Sequence, residues 1–197
     1  MKIHLSKKGI RSIGIAESFV KTEKKAVIVG IVMRSDWLID GFNIDFVTVG
    51  GLDATEKVIN LISNLSRTDI TVILLNGTVI SWYNIIDLEK VFNEFKIPVI
   101  ALSYRESEGI EKYILENFPE DAHKRLEILQ HNNPREKVRI KTGFYVYINF
   151  KGIDKKTAIR ILNKYTLIGK YPEPIRVARI IANKLYRKLK LLDVGVS

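Results

Sequence analysis

Residues 26–49 read AVIVGIVMRSDWLIDGFNIDFVTV, and this stretch decides the fold. Ala26 to Met33 is an apolar run rich in β-branched residues, consistent with a buried strand. From Gly41 to Val49 the pattern alternates, with Phe42, Ile44, Phe46 and Thr48 on one face. The turn-forming residues between them, Ser35, Asp36, Asp40 and Gly41, predict an antiparallel pair. Upstream, Ile10 to Ile15 reads as a further strand, ending at Gly14-Ile15-Ala16-Glu17-Ser18.

Downstream the period changes from two to 3.6. Asp53-Ala54-Thr55-Glu56 supplies capping side chains ahead of Val58, Ile59, Leu61, Ile62 and Leu65, an amphipathic helix. Ile70 to Leu75 is an apolar strand stopped by Asn76-Gly77. The spacing predicts a helix over 85–95, a strand over 98–102, helices near 108–117 and 121–130, and a strand over 144–150. It places the last helices over 154–165 and 173–192, the second opened by Pro172-Glu173-Pro174. The resulting βββαβαβ order attaches an antiparallel hairpin to a parallel α/β sheet. That is the layout of a ribonuclease H-like mixed sheet flanked by helices, with a flavodoxin-like layout as the rival.

The chain has 197 residues, 46% of them hydrophobic and 27% charged, which fits one globular domain spanning 1–197. There are no cysteines, so disulfides, Cys-ligated zinc, iron–sulfur clusters and cysteine nucleophiles are excluded. No apolar segment follows MKIHLSKKGIRS, and the longest apolar run is far shorter than a membrane span, so a soluble cytoplasmic protein without membrane partners is expected. The net charge of +10 is unevenly distributed. Residues 1–30 carry 7 basic and 2 acidic side chains, residues 31–150 carry 13 and 17, and residues 151–197 carry 12 and 3. Basic ends around a mildly acidic middle favour an anionic partner.

Four segments resemble an archaeal family of uncharacterised proteins, domain-of-unknown-function family 99, distantly related to endonuclease V. They are Gly14-Ile15-Ala16-Glu17-Ser18-Phe19, Gly51-Leu52-Asp53-Ala54-Thr55-Glu56, Leu75-Asn76-Gly77 with Tyr83-Asn84, and Pro172-Glu173-Pro174-Ile175-Arg176-Val177-Ala178. The resemblance implies an endonuclease V-type fold and, in principle, Mg²⁺- or Mn²⁺-dependent hydrolysis. This chain departs from the family pattern where that chemistry resides. Ala16 and Glu17 stand where the pattern has Asp-Asp, Asn76 stands where it has Asp, and Arg179 stands where it has His. Two-metal hydrolysis holds its cations with carboxylates at adjacent strand ends; Ala16 ligates nothing, and Asn76 offers only a neutral oxygen. The carboxylates Asp40, Asp45, Asp53, Glu56, Asp87 and Glu173 show no spacing that rebuilds the cluster.

On the last helix, Ile175, Ala178, Ile181, Ala182, Leu185, Tyr186 and Leu189 form a core face. Beside them Arg176, Arg179, Asn183, Arg187 and Lys190 form a stripe without acidic i,i+4 partners, which phosphates would neutralise. Asp53, Thr55 and Glu173 are further motif residues; Asp53 and Thr55, with the free amides beside them, either contact a ligand close to the sheet edge or belong to a glycine turn and helix cap. Tyr145 and Tyr147 share a strand face, from which they can stack on bases or pack beneath a helix. Trp82 and Tyr83 carry the same pair of readings. His4, His123 and His131 have no metal-ligand spacing, so no metal site is assigned. The expected function is DNA or RNA binding on an endonuclease V-like fold whose metal site, at Glu17 and Asn76, has degenerated. The alternatives are a Mg²⁺- or Mn²⁺-dependent endonuclease using Glu17 with Asp45 or Asp53, acting on damaged DNA or on RNA, and a non-catalytic interaction protein.

Overall fold

A continuous apolar strand has to be covered on both faces, and the fold is arranged around that requirement. The computed structural model describes residues 9–106 and 109–192. Its elements are β1 (Arg11–Ser18), β2 (Lys25–Arg34), β3 (Ile39–Thr48), α1 (Ala54–Ser63), β4 (Ile70–Leu75), β5 (Val79–Ile80), β6 (Asn84–Ile85), α2 (Leu88–Phe95), β7 (Val99–Ser103), α3 (Glu111–Asn117), α4 (Ala122–His131), β8 (Glu136–Arg139), β9 (Tyr145–Lys151), α5 (Lys155–Tyr165) and α6 (Glu173–Leu191). Seven strands form one sheet in the order β3-β2-β1-β4-β7-β9-β8. β1, β4 and β7 run parallel, and both flanks are antiparallel. Antiparallel strands on both sides of a parallel centre match the ribonuclease H-like layout and exclude the flavodoxin-like one.

Ala26 to Met33 is buried along its whole length. One face of the sheet packs against α1 and α2 through Ile13, Ile28, Leu61, Ile73, Leu88 and Val91. The other packs against α5 through Ile100, Ile148 and Ile161, and against α6 through Val27, Val29, Ala178 and Ala182. Position 14 must be glycine for α6 to lie on β1, because a Cβ there would sit 2.4 Å from the carbonyl carbon of Pro174. That contact fixes where the cationic side of α6 meets the end of β1.

Three details differ from the sequence reading. The helix expected from Ile85 begins at Leu88, because Asn84 and Ile85 pair with Ile80 and Val79 in a short hairpin and the Asp87 carboxylate caps the helix by accepting from the Glu89 and Lys90 amides. The strand Glu136–Arg139 was not expected: its sequence EKVR has one apolar residue, which suits an edge strand whose charges discourage further pairing. The helix expected from residue 108 is present from Glu111, and its expected first residue lies outside the described residues. No helix among the described residues is long and apolar enough to cross a membrane.

Candidate functional site

The parallel strands β1, β4 and β7 end side by side, and ligand sites of α/β sheets lie at such ends. Glu17 closes β1 and Asn76 follows β4, with the Asn76 amide donating to the Ile15 carbonyl at 2.9 Å. The structure therefore brings Ala16, Glu17 and Asn76 together. Ala16 is 3% exposed, and its methyl belongs to the core formed with Val27, Val29 and Ala178. Glu17 is partly covered. Burial pushes its carboxyl above the ordinary value, opposed by a hydrogen bond from the Ser81 amide and by the charge of Arg179. The recess between Glu17, Asn76, Gly77 and Ile80 holds about 10 Å³, room for about one water molecule.

Of the other carboxylates weighed in the sequence, Asp40, Asp45, Asp53, Asp87 and Glu173 are engaged elsewhere. Asp53 accepts from the Thr48 hydroxyl at 2.8 Å and from the Asn84 amide at 2.6 Å, tying β3 to β6. Thr55 Oγ1 accepts from the Asp87 amide at 2.9 Å and donates to the Ile85 carbonyl. Asp45 lies 3.9 Å from Lys57, and Asp40 pairs with Arg11 and Arg67. Glu173 is buried and accepts from Arg176. Among the described residues no three His, Asp or Glu side chains converge; His123 and His131 lie exposed on α4, and His4 lies outside the described residues.

The cationic stripe of α6 begins beside Glu17. Glu17, Arg176, Arg179, Asn183, Lys184 and Arg187 line an open groove of about 590 Å³. The stripe is less uniformly unpaired than its i,i+4 pattern indicates. Arg176 is bonded to Glu173 at i−3, and Lys190 meets Glu23, from the β1–β2 turn, at 2.7 Å. Neither partner falls under the i,i+4 rule, and the second is a tertiary contact. Arg179 stacks on the Tyr171 ring at 4.2 Å. Lys184 and Arg187 are exposed, and among the described residues neither is joined to a carboxylate.

A profile of the family described as endonuclease dU matches residues 8–186. The chain belongs to the endonuclease dU family. A UPF0215 protein of Pyrobaculum calidifontis is 34% identical over 169 residues, covering 86% of this chain and 93% of that protein. The crystal structure of a protein of unknown function from Archaeoglobus fulgidus superposes with a TM-score of 0.75 at 27% identity, over 89% of this chain and 97% of that one. Endonuclease V of Ciona intestinalis, solved with a 24mer DNA containing an inosine followed by a ribo-adenosine, superposes with a TM-score of 0.62 at 16% identity, over 92% of this chain and 87% of that one. The endonuclease V fold is thus shared by this family member.

Several features framing the site carry little sequence signal. Ser81, Trp82 and Tyr83 have φ of 43°, 59° and 63°, three consecutive left-handed non-glycine residues. They are held from outside. Arg125, 1% exposed, donates to the carbonyls of Gly50, Gly51 and Tyr83, and its charge is met by Asp121. The Gly50 amide in turn donates to the Ser81 carbonyl at 2.7 Å. Trp82 and Tyr83 pack on Phe118 at ring distances of 4.8 and 5.9 Å, and Lys21 lies over Trp82. Only the turn dipeptide Asn76-Gly77 hinted that an irregular loop begins here; an arginine in the middle of a polar helix is not distinguishable by pattern from a solvated one.

Proposed function

We propose that the protein binds DNA or RNA through the groove between the end of β1 and α6, and that its strand-end site is not equipped for metal-dependent hydrolysis. The observation that carries the reading is the groove itself, lined by Arg179, Lys184 and Arg187 and, among the described residues, by one carboxylate, Glu17. Phosphates set against Arg187 and Lys184 would release counterions and relieve the mutual repulsion of the stripe. Arg176 divides its charge with Glu173, so it contributes less. The fold shared with a DNA-bound endonuclease V supports the same partner class.

The donor set does not fit a pair of divalent cations. One carboxylate, one carboxamide and one methyl group supply a single negative charge, in a recess with room for about one water. In the pattern this chain resembles, positions 16, 17 and 76 are all Asp. Glu17 acts instead on the groove's field: when ionised it repels phosphate, and its raised protonation range weakens that repulsion as pH falls.

Binding of labelled DNA and RNA, followed by anisotropy against salt concentration, tests the reading. Three phosphate contacts give a slope near −2.7 in log–log form, or roughly 40-fold weaker binding between about 50 and 200 mM salt. A flat response, or no binding at low salt, would sink it.

The family description as endonuclease dU favours a second reading, a Mg²⁺- or Mn²⁺-dependent nuclease on damaged DNA or on RNA. It would recruit Asp45 or Asp53 to Glu17, at the cost of the Lys57 contact or the tie to Thr48 and Asn84. Incubation of deoxyuridine- and inosine-containing strands with Mn²⁺ decides between the two. Cleavage by the native protein supports the nuclease; cleavage only by Asn76→Asp supports a lost metal site.

A further inference from the structure

We infer that the free edge of the sheet, β8 with β9, is a stacking platform for a single-stranded segment of nucleic acid. The inference rests on the nucleic-acid reading above and adds to it a strand type and a second contact surface. The geometry is that of an uncovered sheet face. Val138, Val146 and Ile148 point into the core under α5, so Lys137, Arg139, Tyr145 and Tyr147 must point to the opposite face. At its outer end that face is open: Lys137, Arg139 and Tyr145 are exposed, Tyr145 by 55%. Of the two readings open for these tyrosines in the sequence, packing beneath a helix does not apply to Tyr145.

The face pairs rings with cations in register. Lys137 stands directly opposite Tyr147 and Arg139 opposite Tyr145. The Lys137 ammonium lies 5.5 Å from the Tyr145 ring centre and 5.6 Å from that of Tyr147. The Arg135 guanidinium stacks on Tyr147 at 4.3 Å, and its plane is locked by bonds to the Ser103 hydroxyl, at 2.9 Å, and to the Arg105 carbonyl. Among the described residues the carboxylate paired with these cations is Glu106, 3.8 Å from Lys137, and Glu111 lines the adjoining cavity. Arg135 and Tyr147 also line a cavity of about 490 Å³ that reaches Gly77, so the platform is continuous with the strand ends.

This chemistry selects a single strand. Bases in a duplex are stacked on each other and present no free π-face, whereas an unpaired base can lie on a tyrosine ring or a guanidinium plane while nearby cations hold its phosphates. A protein partner would need an acidic, aromatic-binding surface, and would leave nucleic-acid affinity unchanged on mutation of the platform.

The test compares Tyr145→Ala with the native protein on a fluorescein-labelled 20-nucleotide oligo-dT, the matching oligo-rU and a duplex of the same length. Tyr145 is exposed, so the substitution is compatible with folding. The platform predicts that Tyr145→Ala loses about 5-fold or more in affinity for the single strand, and at least three times more there than on the duplex. Tyr145→Phe, which keeps the ring, recovers most of that loss. Preference for oligo-rU over oligo-dT would identify RNA as the source. Equal losses on single strand and duplex, or none, overturn the platform and leave the α6 groove standing. If the native protein binds none of the probes at low salt, the platform and the reading it rests on fall together.

Discussion

The two ends of β1 use charge in opposite ways. At its start, Arg11 and Arg67 meet Asp40 and Asp69 in a closed network of two cations and two anions. The guanidinium groups hold both carboxyls below their ordinary range, and Asp69 pushes Arg67 higher still. At its other end, Glu17 faces Arg179, Lys184 and Arg187 across an open groove, and burial holds its carboxyl above the ordinary range. The first arrangement satisfies itself and ties β1 to β3 and to the loop before β4. The second keeps an excess of positive charge beside a partly covered site, which is stable only if water or an anion serves it. Number of charges does not separate the two regions; balance does.

The largest effect is expected from displacing the helix that creates the open end. Gly14→Ala puts a methyl group against the α6 backbone, and about 3 kcal/mol of stability should be lost in urea denaturation. A loss under about 0.5 kcal/mol would mean that α6 is not seated as described. Next is Arg67→Met at the closed end, expected to cost about 1 kcal/mol at neutral pH while leaving nucleic-acid binding intact. Depressed carboxyl values stabilise the fold above the unfolded range and lose that contribution as pH falls through them. Arg67→Met should therefore flatten the acid limb of the stability profile. Arg187→Ala is the converse experiment: a change in stability within about 0.5 kcal/mol, but a salt slope for binding smaller by about one.

Glu17→Gln gives the smallest expected effect on the fold. A raised carboxyl value means that the folded state holds the proton more tightly, so stability is greatest below the unfolded range and declines as pH rises through the folded value. The glutamine variant should gain stability at neutral pH, show no gain below the ordinary glutamate range, and bind polyanion more tightly at pH 7. A loss of stability at neutral pH would contradict the burial argument.

Periodicity made most of the sheet and its helices legible, because Ala26–Met33, Ile70–Leu75 and the core face of α6 are long and strongly patterned. That Glu17 and Asn76 share a strand-end site was legible through the family resemblance, which assigns both positions to it. What stayed hidden depends on contacts distant in sequence. Arg125 holds backbone carbonyls more than forty positions away, Glu23 neutralises Lys190 from the β1–β2 turn, and Arg135 is fixed by Ser103 and Arg105. The left-handed run Ser81–Tyr83 was hidden for a different reason: its residues are not the glycines that normally mark such backbone. β8 was missed because edge strands carry charge in place of alternation.

Whether the open end of β1 holds a polyanion is decided by the salt dependence of oligonucleotide binding for the native protein beside a Lys184→Ala/Arg187→Ala double variant. The native protein should show a log–log slope near −2.7, falling in magnitude by about two in the variant, with folding stability unchanged within about 1 kcal/mol. A slope identical in both proteins would contradict a polyanion there and place the phosphates elsewhere.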